Sequence, residues 1–108
     1  MQIVFNHGTD KRTAAVKIDQ FLDELTKREF PAGVKIMNSK KAWNGDRMDF
    51  MFQARKGFFG ATVKGMISMH DSQVILQSDL PGFVTSFVSE TKIRQVIVDQ
   101  FNMLFRNN

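Results

Sequence analysis

The sequence predicts an α+β domain: an antiparallel meander of about five strands with an N-terminal and a C-terminal helix packed on one face, in the order β-α-β-β-β-β-α. Three observations predict it. Between residues 34 and 78, apolar side chains recur at every second position, in runs separated by the turn formers Asn44-Gly45, Lys56-Gly57 and His70-Asp71-Ser72. On either side of that stretch the apolar spacing changes to three and four, the period of an amphipathic helix. With 108 residues, 43% of them hydrophobic, the chain suits one core and not two, so residues 1–108 read as a single domain.

Gln2 to Asn6 alternates with Ile3 and Phe5 on one side, a first strand. Gly8 breaks it, and Thr9 or Asp10 is placed to cap a helix running from Lys11 to about Glu29. Ala14, Ile18, Phe21, Leu22 and Leu25 form its apolar stripe, and Asp23 and Lys27 are spaced for an ion pair. Pro31 and Gly33 end the helix. Val34 to Asn38 reads as a short strand followed by a polar loop up to the turn at Asn44-Gly45. From Arg47 to Ala54, Met48, Phe50, Phe52 and Ala54 face one way and Asp49, Met51 and Gln53 the other. A long strand, Phe58 to Met69, turns Phe59, Ala61, Val63, Ile67 and Met69 inward, and Gln73 to Ser78 returns with Val74 and Leu76 inward.

Pro81 suits the first turn of the closing helical region. Its stripe of Phe83, Val84, Phe87 and Val88 is out of phase with the next, Ile93, Val96, Ile97, Phe101, Leu104 and Phe105. A break near Ser89-Glu90-Thr91, with Ser89 as a fresh cap, reconciles the two.

The same alternation sends a second apolar set away from the helices: Val4, Met37, Met51, Phe58, Met66 and Ile75. Such a set on a face expected to be polar marks a patch to be explained. Charge gathers in the same part of the chain. Residues 35 to 64 hold seven Lys and Arg against Asp46 and Asp49, whereas the whole chain carries only +4. Trp43, Phe58 and Phe59 lie within that segment. Cations interleaved with aromatic and methionine side chains suit an anionic or amphiphilic partner. The candidate contact residues are therefore Trp43, Met51, Arg55, Lys56, Phe58, Met66 and Ile75. In Arg55-Lys56-Gly57-Phe58-Phe59-Gly60, Phe59 reads as the first inward residue of its strand. Phe58 either pads the back of the sheet or enters an apolar layer beneath anionic headgroups.

Other chemistries find little support. There is no cysteine, hence no disulfide or thiolate chemistry, and a reducing, cytoplasmic setting fits. A metal site would need His7 and His70 joined by carboxylates, which the spacing does not favour; the two histidines read as surface or capping residues, and no cofactor is expected. Asp46 and Asp49 fall on opposite sides of the pleat, and no serine has a nucleophile-elbow context, so the chain reads as a non-enzyme. Basic and aromatic residues also describe a nucleic-acid surface, but an RNP-type pattern, a GXXG clamp and a helix-turn-helix are all missing, and nucleic acid is not the expected partner. No apolar run approaches the roughly 20 residues of a transmembrane helix, and residues 1 to 6 do not form a signal peptide's apolar region.

The order of features resembles one family. His7 follows a short strand, then comes an amphipathic helix, and Trp43-x-Gly45-Asp46 leads into Met48-Asp49-Phe50. Gly60 and Gly65 lie in the next strand, and Asp79-Leu80-Pro81-Gly82-Phe83 precedes a terminal helix. This succession, which spans nearly the whole chain, resembles the polyhydroxyalkanoic acid system proteins, small bacterial proteins encoded with polyester storage genes. The resemblance implies association with polyhydroxyalkanoate granules, or with the proteins and lipids of their amphiphilic coat. It brings no catalytic residue to carry over. Its element order is similar to that of helix-grip carriers, which implies the alternative of an acyl or hydroxyacyl ligand held in a cavity. A homodimer through the sheet face is a further expected partner.

Overall fold

A computed structural model of the chain describes residues 1–27 and 30–106. The chain runs β1 (Gln2–Asn6), α1 (Lys11–Asp19), α2 (Phe21–Lys27), a 3-10 turn (Pro31–Gly33), β2 (Lys35–Asn44), β3 (Arg47–Lys56), β4 (Phe59–Met69), β5 (Gln73–Ser78), α3 (Gly82–Phe87) and α4 (Glu90–Leu104). The five strands form one antiparallel sheet in the order β1-β5-β4-β3-β2, with the helices on one face, so the α+β architecture is the expected one.

Alternation drives the layering. Met48, Phe50, Phe52 and Ala54 of β3 are buried beneath the helices, and Val63, Ile67, Val74 and Leu76 continue the same layer in β4 and β5. Ala14, Ile18, Phe21 and Leu25 close it from α1 and α2, and Ile93, Ile97 and Phe101 from α4. A β-carbon on Gly65 would come within 2.5 Å of both Gln77 O and Phe50 Cζ, so the Phe50 ring occupies the space that glycine leaves. Both central hairpins turn in two residues, Gly45-Asp46 and Gly57-Phe58, and each opens with a glycine at positive φ (63° and 61°). Only glycine takes that backbone freely in the first position of such a turn.

Ser89 caps α4 by accepting from the Lys92 amide, and α3 ends before it, so the break expected at Ser89 is present. Asp10 caps α1 through the Thr13 amide at 2.7 Å, which holds its carboxyl below the usual range.

Three local expectations are corrected. The helix expected from Lys11 to Glu29 is two, interrupted at Gln20, and its expected end at Glu29 lies outside the described residues. Trp43 and Lys41 of β2 reach Asp19 at the junction, and Lys41 also donates to the Asp19 carbonyl. Lys27 then pairs with Glu24 at 3.8 Å, while Asp23 faces Lys41 at 3.9 Å in place of Lys27. Finally, the polar stretch after Asn38 is strand and not loop. β2 continues to Asn44 through an irregularity between Met37 and Lys40, where Asn38 takes φ 55° and its amide donates to Gln53 Oε1. Lysines and a bulge on this outermost strand discourage pairing with another sheet. The opposite edge is guarded by Arg94 of α4, which donates to Gln2 O at 2.7 Å.

Candidate functional site

The pairing register decides what the uncovered face of the sheet carries. Val4 and Ile75 are opposite each other on β1 and β5, and Ile75 is opposite Ser68. Met66 lies two residues further along β4, opposite Asp49, and Met51 two residues beyond Asp49 on β3, opposite Lys64 and Lys40. Met37 on β2 continues the shift, opposite Gln53. One apolar residue from every strand thus forms a single diagonal band, its diagonal neighbours roughly 7 Å apart. Val4 is 51% exposed and the other four are half-buried.

Cations flank this band. Lys40 and Lys64 stand on either side of Met51, and Lys35 is opposite Arg55 beside Met37. Among the described residues none of these four has a carboxylate partner, whereas Arg47 is paired with Asp49 at 3.2 Å. Two cations directly across a ladder weaken it. Among the described residues no carboxylate offsets their charge, and those on β2 also protect the edge.

At the β3–β4 turn the aromatic side chains are uncovered. Phe58 is fully exposed at the apex, on the side of Gln53, Arg55, Gly60 and Thr62. The expectation that Phe58 pads the back of the sheet is corrected: a two-residue turn carries it past the last strand pair, beyond any neighbour to pad. Phe59 points to the helix side but is 67% exposed, which corrects its reading as an interior residue. Short α3 packs against β4 near this end of the hairpin. Phe83 of α3 lies 6.5 Å from Phe59 and 5.3 Å from Phe87, ring centre to ring centre. The Lys56 ammonium sits 4.6 Å above the Phe87 ring, a cation–π contact. Phe83 and Phe87 were not among the sequence-derived candidates, because a spacing of four beside Val84 and Val88 has the same pattern as an interior stripe.

Of the candidates, the structure brings Arg55, Lys56 and Phe58 together at the turn, and Met51, Met66 and Ile75 along the band. Trp43 is elsewhere. Eight residues of β3 separate its partner Met48 from Lys56, about 27 Å of strand. Its ring is half-buried on the helix side, and its Nε1–H donates to Asp19 Oδ1 at 2.8 Å. That bond, ahead of the nearby Lys41, holds the Asp19 carboxyl below its ordinary range. Trp43 therefore fastens β2 to α1 and does not belong to the exposed cluster.

His7 is buried, which corrects its reading as a surface residue. The Thr9 amide donates to Nδ1, so Nε2 carries the hydrogen given to the His70 carbonyl at 2.9 Å. This arrangement ties the β1–α1 loop to the β4–β5 turn. Among the described residues no three His, Asp or Glu side chains are grouped to hold a metal ion. No described helix is long and apolar enough to cross a membrane. Between sheet and helices, the apolar void beside Phe21, Leu25, Phe50, Phe52 and Ile97 amounts to about 30 Å³, against the several hundred of a ligand pocket. Compared with family models, curated proteins and solved structures, the chain finds no match.

Proposed function

We propose that this protein is a non-enzymatic binding protein that docks on polyhydroxyalkanoate granules or their amphiphilic coat. The observation that carries the reading is the diagonal band of Val4, Ile75, Met66, Met51 and Met37, bordered by cations without carboxylate partners. A flat sheet presenting flexible methionines adapts to a surface that has no fixed shape, and its apolar contact supplies affinity at about 25 cal/mol per Å². Lys40, Lys64, Lys35 and Arg55 steer the approach to anionic groups. The order of sequence features shared with the polyhydroxyalkanoic acid system proteins supports the choice of granule. The carrier alternative is less well supported, since the void of about 30 Å³ holds roughly one water molecule.

Co-sedimentation with purified granules tests the reading. Exchanging Met51 and Met66 together for Gln keeps their length and removes the apolar contact. Partitioning should fall by about tenfold, with the circular dichroism spectrum unchanged. Wild-type partitioning of that double variant, and of Lys40→Glu with Lys64→Glu, would rule the surface out.

A further inference from the structure

The end of the β3–β4 hairpin differs from the flat band in shape as well as chemistry. It is convex. Phe58 projects from the apex with every part of its side chain exposed, and Phe59 leaves the other side of the same turn at 67% exposure. Phe87, 41% exposed, extends the apolar surface onto α3 through Phe83. Behind the apex comes a collar of charge: Lys56 in the last strand pair, Arg55 in the pair before it, and Lys35 opposite Arg55. Residues 53–61 and 81–88 contain no carboxylate, and Arg55 and Lys35 have no acidic partner among the described residues.

From this geometry we infer that the hairpin end, together with α3, is a wedge that enters the interface of an anionic phospholipid layer. The inference rests on the reading of the protein as one that docks on an amphiphilic surface, and it names the component touched. Phe58 follows one residue past the Lys56–Phe59 pair, and each strand residue advances about 3.4 Å, so the Lys56 and Arg55 backbones lie about 3 and 7 Å behind that of Phe58. That offset, extended by the Phe58 ring, is of the order of the about 5–10 Å to which apolar side chains enter the headgroup–acyl boundary. Phe58 and Phe59 leave the turn on opposite sides, so apolar side chains surround the apex. A wedge of this kind suits a fluid layer that closes around it. A folded protein partner would instead need a concave pocket matched to both sides. The Lys56 stem can cover the Phe87 ring over which its ammonium sits, and the ammonium can exchange that ring for a phosphate as the tip enters. Trp43, at the far end of β2, stays out of the layer.

Sedimentation with vesicles of phosphatidylglycerol and phosphatidylcholine tests the wedge. The wild-type protein should bind vesicles rich in phosphatidylglycerol and lose most binding on pure phosphatidylcholine or in high salt. Phe58→Asp, at a position that touches no core residue, should weaken binding at least about tenfold, and Lys56→Glu several-fold. The Met51→Gln, Met66→Gln variant should lose less vesicle binding than Phe58→Asp. A tryptophan placed at Phe58 should be quenched by brominated lipid while Trp43 is not. Loss in the methionine variant with retention in Phe58→Asp would overturn the wedge in favour of the flat face. A wild-type protein that ignores every vesicle yet sediments with protein-coated granules would overturn it in favour of the coat proteins, leaving the granule reading intact. Vesicle binding without granule binding would do the reverse, sustaining the wedge and removing the granule.

Discussion

Replacing Trp43 with Phe separates a structural clamp from a contact residue. In the folded protein the indole N–H donates to Asp19 Oδ1 at 2.8 Å, with the Lys41 ammonium 3.4 Å from the same oxygen. A hydrogen bond to a charged group contributes about 1.5–3 kcal/mol when buried. Asp19 is about half exposed, so solvent screening reduces this toward about 1 kcal/mol. The smaller ring loses a further fraction through packing, and Trp43→Phe should cost about 1–2 kcal/mol at pH 7. Because Trp43 is the only tryptophan, urea unfolding has to be followed by circular dichroism. The pH dependence follows from the sign of the shift. The folded-state pKa of Asp19 lies below its unfolded value, first because of the indole and then because of Lys41. Its contribution is therefore present above the unfolded value near 3.9 and disappears as pH falls through the folded value. The gap between wild type and Trp43→Phe should accordingly narrow below about pH 4, leaving the packing part. In an Asp19→Asn background, where the amide oxygen still accepts but carries no charge, the pH-dependent part should vanish. Equal stability at pH 7, or a gap unchanged at pH 2.5, would refute the clamp. Granule partitioning should be unaffected by Trp43→Phe; a loss as large as that of the Met51→Gln, Met66→Gln variant would return Trp43 to the contact surface.

The other two stability predictions concern the core and a cap. Gly65→Ala forces a methyl against Phe50 and the Gln77 carbonyl and should destabilise by about 1–3 kcal/mol, read as a lower midpoint in urea with little change of slope; a neutral result would mean that the Phe50 ring can move aside. Ser89→Ala removes the acceptor for the Lys92 amide and should cost about 1 kcal/mol, whereas Ser86→Ala, a residue within α3, should cost less; equal losses would show that the α3–α4 break does not depend on the cap.

Much of the fold was legible because period and punctuation are local. The Asn44-Gly45 and Lys56-Gly57 dipeptides placed both central turns to within a residue, and the phase slip at Ser89 marked the last helix break. The polar run after Asn38 misled, because its strand character comes from pairing with β3 and not from its own alternation. The break at Gln20 was invisible for a related reason. The contacts at it come from Lys41 and Trp43, more than twenty residues away in sequence.

The candidate site divides along the same line. Alternation along each strand by itself determined which methionines leave the helix side, since a side chain's face follows from its position in the pleat. It also placed Arg55, Lys56 and Phe58 at one turn. Tertiary structure alone decided that the five outward residues fall on one diagonal, because that depends on the register between strands. It alone removed Trp43 to the opposite end and added Phe83 and Phe87 to the exposed cluster. Side-chain direction is a property of a short segment, whereas neighbourhood and exposure are properties of how segments are stacked.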